Sequence, residues 1–197
     1  MSCASAGAYK LFACYHGTDA SCAPIILKSG FRKSIGIDHW YGDGVYFFID
    51  GIMGGEAAAI SWAKLQAWDS SKRVNSYDRY TVLITLFESQ SILDLRDAEG
   101  LTVFNQMRQK LLSRYLSIPS VRKQISGSNK LDHYVCTELG KLMELDAILG
   151  NCYIKLDRDS RIKQINSRVP NVTVICVCDE SKVDIEVVEV LHEGDVE

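Results

Sequence analysis

Two short blocks near the start of the chain constrain its fold more than any other feature. The first is Tyr15-His16-Gly17-Thr18, and the second is Tyr41-Gly42-Asp43-Gly44-Val45-Tyr46-Phe47-Phe48. In each block a polar ring stands beside glycines at the edge of an apolar run. Such a pattern indicates a strand that ends where the backbone turns or approaches another group closely. The layout suits a flat, amide-bearing ligand that is bound by backbone groups and aromatic rings.

The apolar patterning elsewhere predicts a mixture of strands and helices. Strands are predicted at 9–15, 45–49, 80–87, 172–177 and 183–190, and helices at 56–68, 102–115 and 131–145. Strands and helices do not alternate regularly, and no strand-linked G-x-G-x-x-G is followed by an acidic residue, so a Rossmann fold is not expected. We therefore predict an α+β fold with largely antiparallel sheets.

Length and composition indicate one soluble globular domain over 1–197. Hydrophobic residues make up 47% of the chain and charged residues 24%, which is enough apolar surface for a full core. No apolar run approaches the roughly 20 residues that cross a bilayer, and the start of the chain does not resemble a secretory signal. The expected location is the cytoplasm, with no membrane partner. The segment 88–156 carries no interpretable motif and is predicted to be a helical insertion that shapes the acceptor surface.

The seven cysteines are odd in number and contain no C-x-x-C pair. We interpret them as small buried apolar residues in a reducing compartment, and no metal site is predicted. The net charge of −3 argues against a surface dedicated to long nucleic acid. A local basic cluster can be either a solvated face or a contact for RNA phosphates; its members are Lys155, Arg158, Arg161, Lys163 and Arg168.

His16 and Tyr46 are the candidate catalytic residues. His16 is expected to bond a ribose hydroxyl, while the backbone N–H and C=O of Gly17 match the two kinds of hydrogen-bonding group in a carboxamide. Alternation along the second block directs Tyr46 and Phe48 to one face. Tyr46 is then either a core residue or a ring that stacks on a pyridinium in a cleft.

The ordered set of motifs resembles the ADP-ribosyltransferases related to poly(ADP-ribose) polymerases and diphtheria toxin. The matching residues are His16-Gly17-Thr18, Gly42-x-Gly44-Val45-Tyr46-Phe47 and the intervening Ala23-x-x-Ile26-Leu27-x-x-Gly30-Phe31. The resemblance is dense from 15 to 48 and weak elsewhere. It implies two mostly antiparallel β-sheets around a cleft for NAD, which serves as the substrate.

The resemblance also implies roles for particular residues. Trp62 matches the aromatic residue that family members place over the second face of nicotinamide. The residues that it assigns to the NAD site are His16, Gly17, Thr18, Tyr41, Gly44, Tyr46, Trp62 and Val174. Polymer-forming members carry a glutamate on a late strand, where this chain has Thr173 or Val174. Loss of that glutamate accompanies single ADP-ribose transfer or inactivity, unless Asp132, Glu138 or the substrate supplies a carboxylate.

The favoured function is therefore a mono-ADP-ribosyltransferase that modifies a protein or an RNA. Compact bacterial members with a block like Trp40-Tyr41-Gly42-Asp43-Gly44-Val45-Tyr46-Phe47 look like toxins of toxin–antitoxin or phage-defence systems, which implies an antitoxin partner. One alternative is an inactive module that binds NAD or ADP-ribose. A second is an RNA 2′-phosphotransferase of related fold, whose pocket typically contains additional His and Arg residues that the sequence does not place.

Overall fold

The computed structural model describes residues 9–36, 39–115, 117–118 and 130–196. The strands are β1 (Lys10–Asp19), β2 (Val45–Ile49), β3 (Trp68–Asp69), β4 (Val74–Asn75), β5 (Arg79–Ser89), β6 (Ile92–Asp94), β7 (Ala147–Cys152), β8 (Val172–Val177) and β9 (Glu189–Asp195). The helices are α1 (Ala23–Ser29), α2 (Gly55–Gln66), α3 (Ala98–Tyr115), α4 (Lys130–Leu142) and α5 (Arg158–Ile162). Short 3₁₀ turns lie at Ala20–Cys22, Glu180–Lys182 and Ile185–Val187.

The large sheet has seven strands in the order β6-β7-β8-β2-β1-β5-β9. Neighbouring strands are antiparallel except for the parallel pair β6–β7. Strands β1 and β5 pair along their whole length, whereas β1 and β2 pair only at Tyr15 and Phe48. The predicted mixture of helices and strands is confirmed. Instead of two comparable sheets, the chain forms one mixed sheet, nearly divided between β1 and β2, and a small sheet of β3 and β4.

Apolar side chains fill both faces of the large sheet. One face carries a cluster that includes Phe31, Val45, Phe47, Leu83 and Ile175. The other face packs against α2 through Ala58, Ala59, Ala63, Val82 and Val174, and against α3 and α4 through Phe104, Leu111, Val135, Leu139 and Ile148. Because alternate residues of β2 belong to opposite faces, this strand contributes to both cores.

Helix α2 lies unusually close to β1 because Gly17 has no side chain. A Cβ atom at Gly17 would lie 2.0 Å from the carbonyl oxygen of Ala59. The facing positions of α2, Ala59 and Ala63, are also small and fully buried. This contact fixes the helix over the end of β1, and the same helix carries Trp62.

The largest differences from the predicted elements lie in the second half of the chain. Segment 88–156 does contain α3 and α4, but it also supplies β6 and β7 to the large sheet. The predicted strand at 183–190 is wrong, since Val183 and Val188 enter the core from 3₁₀ turns and the strand begins at Glu189. Residues 37 and 38, and parts of segment 88–156, lie outside the described residues.

Candidate functional site

A cleft of about 400 Å³ opens where β1 and β2 diverge beyond the single pair of Tyr15 and Phe48. His16 and Gly17 line it from β1, and Val45–Phe48 line it from β2. Its volume falls within the range of about 300–1,000 Å³ that is usual for small-molecule sites. Since the cleft passes between the two strands, side chains from both faces of the sheet reach it.

The imidazole of His16 is held in a defined orientation. Its Nδ1–H donates to the carbonyl oxygen of Tyr46 at 3.0 Å, and the ring packs edge to face against Phe31 and Phe47. Burial lowers the pKa of His16, although the bond to Tyr46 acts in the opposite direction. The ring is therefore neutral near pH 7 with its proton on Nδ1. This tautomer leaves Nε2 as an acceptor for a ligand hydroxyl.

The hydroxyl of Tyr46 makes two hydrogen bonds within the protein. It donates to the carbonyl oxygen of Gly42 at 2.6 Å and accepts from the backbone N–H of Tyr41 at 3.0 Å. The ring nevertheless lines the cleft, with its centroid 5.6 Å from that of His39. The structure thus brings His16 and Tyr46, thirty residues apart, into one cleft. Tyr46 offers a ring face to a ligand, while its hydroxyl supports the preceding turn.

Trp62 and Val174 complete the predicted part of the wall. Trp62 projects from α2 and lies edge to face with Phe48, at 6.3 Å between centroids. Val174 lies on β8 opposite Phe48. Thr173 donates its hydroxyl to Asn151, so Val174 is the one of the two candidate positions that lines the cleft. The described wall contains no carboxylate at this position or elsewhere.

Three residues predicted to contact the cofactor do not line the cleft. Thr18 pairs with Thr81 of β5, and Gly44 packs so closely on β8 that a Cβ would lie 2.4 Å from the Sγ of Cys176. The ring of Tyr41 packs against Gly150, and only its backbone N–H supports Tyr46. Packing and turn geometry explain their positions, and their contact with a ligand stays a prediction.

Several wall residues were not predicted from the sequence. They are Arg32, Ser34, His39, Trp40, Gln66 and Ile154. Arg32 is exposed, and the described residues place no ion-pair partner beside it. Because its described wall contains the guanidinium of Arg32 and no carboxylate, the cleft suits an anionic ligand. The sequence feature that could have indicated them is the number of polar residues at 31–40, directly before the second of the two glycine-containing blocks.

The basic cluster packs mainly against the end of α2 and β3. The guanidinium of Arg158 lies 3.5 Å from the ring centroid of Trp68, and Arg161 approaches the carbonyl oxygen of Leu65 at 3.5 Å. Lys163 pairs with Asp159. These contacts give part of the cluster a structural role, and its interaction with RNA stays a prediction.

The described cysteines are all free thiols, and Cys14, Cys136, Cys152 and Cys176 are buried. Burial raises the pKa of Cys14 and of Cys152 to about 12, so these thiols are not poised to react. Across the described ranges, no group of three or more His, Cys, Asp or Glu side chains is arranged to hold a metal ion. Nor does any helix in those ranges have the length and apolar character needed to cross a membrane.

The chain is 25% identical over 177 residues to the uncharacterized protein MJ0359 of Methanocaldococcus jannaschii, an alignment that covers 84% of this chain and 78% of that protein. No family model matches the chain. Since MJ0359 carries no stated activity, the function has to be argued from the cleft itself.

Proposed function

We propose that the protein is an NAD-dependent mono-ADP-ribosyltransferase that transfers ADP-ribose to a macromolecular acceptor. The observation that carries this proposal is the convergence of His16, Tyr46 and Trp62 on one cleft. These three residues come from β1, β2 and α2, which are separated along the chain. The cleft also has a volume of about 400 Å³, and the guanidinium of Arg32 with no carboxylate in the described wall suits the pyrophosphate of NAD.

The wall offers complementary groups for the nicotinamide, a ribose and the pyrophosphate of NAD. The rings of Tyr46 and Trp62 provide aromatic faces for the nicotinamide ring, whose positive charge is attracted to π systems. Nε2 of His16 accepts a hydrogen bond from a ribose hydroxyl. Arg32, at the exposed rim, supplies a guanidinium for the pyrophosphate.

The transfer breaks the glycosidic bond between the ribose C1′ and the nicotinamide nitrogen. The bonding electrons go to that nitrogen, so neutral nicotinamide leaves and positive charge develops on the ribose. A lone pair of the acceptor forms the new bond to C1′, and the proton that the acceptor loses passes to His39 or to water. The protein contributes orientation and electrostatic support for the developing charge.

The absence of a carboxylate from the described wall favours single transfer over polymer formation. Thr173 and Val174 are the two positions that match the family's glutamate through the resemblance; of these Val174 lines the cleft, and its side chain is buried. The same feature is compatible with a module that binds NAD without using it. The sequence resemblance to bacterial toxins is what supports a toxin role with a neutralising partner.

A second candidate function gains support from two wall residues. Arg32 and His39 add a guanidinium and an imidazole to the cleft, which is the kind of set that an RNA 2′-phosphotransferase would use. That enzyme would move a 2′-phosphate from RNA to the ribose of NAD. Incubation with NAD and a 2′-phosphorylated oligonucleotide would reveal it as loss of the 2′-phosphate from the RNA, with formation of a phosphorylated ADP-ribose and release of nicotinamide.

The main proposal is tested with NAD labelled in its adenosine half. Purified protein is incubated with labelled NAD and cell extract, and both nicotinamide release and labelled macromolecules are measured. Trp62→Ala should reduce nicotinamide release at least tenfold, because it removes one aromatic wall. Trp68→Ala is the matched control, since Trp68 is also half-buried but contacts Arg158 outside the cleft.

Each outcome has a distinct meaning. Nicotinamide release with labelled protein or RNA supports the transferase, and NAD binding without release supports the binding module. If neither binding nor release is detected, or if Trp62→Ala and Trp68→Ala behave alike, the assignment of this cleft to NAD is wrong.

A further inference from the structure

Strands β1 and β5 carry apolar side chains on both of their faces. Phe12 and Cys14 of β1 belong to the core cluster that contains Phe31 and Phe47, whereas the alternate residues of the strand point to the side of the sheet on which α2 lies. Where one face of an antiparallel sheet meets water, apolar and polar residues normally alternate along each strand. The sequences of β1 and β5 depart from that pattern, so we expect both faces of these strands to be covered.

Helix α2 covers only part of this second face, which we call the α2 face. The helix begins where Gly55 packs on the ring of Tyr15, and it extends from there toward the end of β1 that lines the cleft. In the opposite direction the α2 face is open. There Leu11 of β1 keeps 62% of its surface exposed, and Leu86 of β5 keeps 49%.

The open part of the α2 face is a continuous apolar area, which we call the β1–β5 patch. Its members are Leu11, Ala13, Ile84 and Leu86. Ala13 pairs with Leu86 across the two strands, and Ile84 pairs with Tyr15 at the border with α2, so the side chains lie next to one another. An exposed apolar area that continues over two strands is typical of an interaction site, unlike single apolar side chains that are scattered over a surface.

Four carboxylates border the β1–β5 patch, and none of them forms an ion pair with the described residues. They are Asp50, Glu56, Glu88 and Glu189. Glu88 pairs with Leu11 across β5 and β1, and Glu189 of β9 pairs with Ile84. Both of these carboxylates therefore project from the α2 face, beside the apolar side chains.

The other two carboxylates lie where the patch meets α2. Asp50 accepts a hydrogen bond from the backbone N–H of Gly55, the first residue of the helix, at 2.8 Å. Partial burial raises the pKa of Tyr15, and the charges of Asp50 and Glu56 raise it further, so both carboxylates lie near the Tyr15 hydroxyl. The rim of the patch is therefore negative at both ends.

Within the described strands β1, β5 and β9, no lysine or arginine projects from the α2 face. Lys10 of β1 pairs with Ser89, whose side chain is buried on the alternate face. Arg79 of β5 also has the alternate orientation, and its guanidinium pairs with Glu193 and Asp195. The fixed charges that these strands present around the patch are therefore all negative.

We propose that the β1–β5 patch binds a cationic amphipathic helix of a partner protein, which would lie beside α2 and complete the cover of the sheet. The apolar stripe of that helix would bury Leu11 and Leu86, and lysine or arginine residues on either side of the stripe would pair with the four carboxylates. Helices packed on one face of a sheet are an ordinary layer arrangement. This interaction goes beyond the proposed transferase function and does not depend on it.

Three other occupants agree less well with these charges. A second copy of the chain, related by a twofold axis, would bring the four carboxylates of one protomer against those of the other. An anionic lipid surface would be repelled for the same reason. Residues 1–8, which precede β1, contain no lysine or arginine and one large apolar side chain, Met1. The negative rim therefore favours a separate cationic chain.

Two designed peptides test the proposal directly. Both are helical, about 18 residues long and labelled with a fluorophore, and both carry one stripe of leucine. The polar positions are lysine in one peptide and glutamate in the other. By fluorescence anisotropy, the leucine–lysine peptide should bind at least tenfold more tightly than the leucine–glutamate peptide. Added salt should weaken that binding, because exposed charge pairs are screened.

Substitutions in the patch show whether the peptide binds there. Leu11→Gln combined with Leu86→Gln should weaken binding of the leucine–lysine peptide at least tenfold, because both apolar contacts are lost. Leu142→Gln is the matched control, since Leu142 is 71% exposed at the end of α4 and is not part of the patch. It should leave the affinity unchanged. Thermal unfolding of each variant shows whether a loss of binding reflects a loss of folding.

A charge variant keeps the test decisive if the leucine variant does not fold. Glu88→Gln combined with Glu189→Gln should weaken binding at least threefold and reduce its dependence on salt. The control variant combines Glu99→Gln with Glu180→Gln. These two carboxylates are also exposed and form no ion pair with the described residues, but they lie on α3 and on the 3₁₀ turn after β8. It should bind the peptide as the wild type does.

Several results would overturn the proposal. They are the binding of neither peptide, equal affinity for both peptides, and control variants that weaken binding as much as the patch variants do. Sedimentation and vesicles that contain phosphatidylserine test the other occupants. Self-association of the wild type that the leucine variant loses would assign the patch to a second copy of the chain. Vesicle binding that is lost in the same way would assign it to a lipid surface.

Discussion

The hydroxyl of Tyr46 should stabilise the fold more than it contributes to ligand binding. Replacing Tyr46 by Phe removes the donor to the carbonyl of Gly42 and the acceptor for the N–H of Tyr41, while the ring stays in the cleft wall. A net hydrogen bond contributes about 0.5–1.5 kcal/mol, and a buried group left without a partner costs about 1–3 kcal/mol. Since the site is only half-buried and water can reach it, we expect a loss of about 2 kcal/mol.

A loss of that size is readily measured. For a chain of this length, 1 kcal/mol shifts the midpoint of thermal unfolding by about 2–4 °C, so Tyr46→Phe should lower it by about 4–8 °C. Urea unfolding gives the free energy directly. Nicotinamide and NAD affinities, measured by calorimetry, should change less than threefold. Tyr46→Ala, which also removes the stacking face, should weaken both at least tenfold.

Tyr77→Phe is the matched control. Its hydroxyl donates to the carbonyl of Ala63 outside the cleft, so the variant loses one hydrogen bond and about 1 kcal/mol, with no effect on nicotinamide affinity. The reasoning about Tyr46 is refuted if Tyr46→Phe is as stable as the wild type and binds nicotinamide tenfold more weakly. The hydroxyl would then act on the ligand rather than on the turn.

Two further predictions concern β1. Because burial lowers the pKa of His16, the unfolded chain binds this proton more readily, with a pKa near 6.5. The neutral, buried His16 therefore contributes to the free energy of unfolding. This contribution is complete above pH 6.5 and is lost as the pH falls from 6.5 through the lower pKa of the folded state. Urea unfolding between pH 7.5 and 5.5 should therefore show a steeper loss for the wild type than for His16→Gln, and parallel curves would contradict it. Gly17→Ala places a Cβ 2.0 Å from the carbonyl oxygen of Ala59 and should lower the free energy of unfolding by roughly 1–3 kcal/mol, measured by thermal or urea unfolding. Gly140→Ala is the control, since its Cβ makes only an ordinary contact with Cys178 and should not destabilise the protein. Equal stability of the two variants would contradict the packing argument.

The parts of the fold that the sequence predicts well are those where local and tertiary preferences agree. Strands β2 (Val45–Ile49) and β8 (Val172–Val177) are continuous runs of β-branched or aromatic residues in the middle of the sheet. Both were predicted with their observed bounds. Strand β7 (Ala147–Cys152) is short and contains a glycine and an asparagine, so its pairing with β8 decides its conformation.

The end of the chain shows how tertiary packing overrides periodicity. The apolar residues of this segment suggest a strand, and Val183 and Val188 are buried. Each of these two residues, however, directly follows a 3₁₀ turn, and its side chain packs into the core from there. The actual strand, β9, is an edge strand with acidic and exposed residues, which carries little periodic signal. Its position depends on β5, whose paired residues lie 105 to 116 positions earlier in the sequence.

The candidate site was predictable to the extent that its residues lie on regular elements. His16, Tyr46, Trp62 and Val174 reach the cleft from β1, β2, α2 and β8. Arg32 and His39 come from an irregular loop, where no periodicity indicates which side chains turn inward. The ring of Tyr41 lies outside the cleft for the related reason that the turn at Gly42, with φ of +87°, directs it toward Gly150.

Because a single residue pair joins β1 to β2, a ligand bound in the cleft would also stabilise the fold. A molecule that contacts both strands supplies cross-links where the backbone ladder is missing, so it holds together two half-sheets that otherwise touch chiefly through side chains. Its binding free energy then adds to the resistance of the whole domain to unfolding, and by mass action this gain grows with ligand concentration. The midpoint of thermal unfolding therefore reports how much of the cleft is occupied, so a thermal-shift screen can identify the ligand.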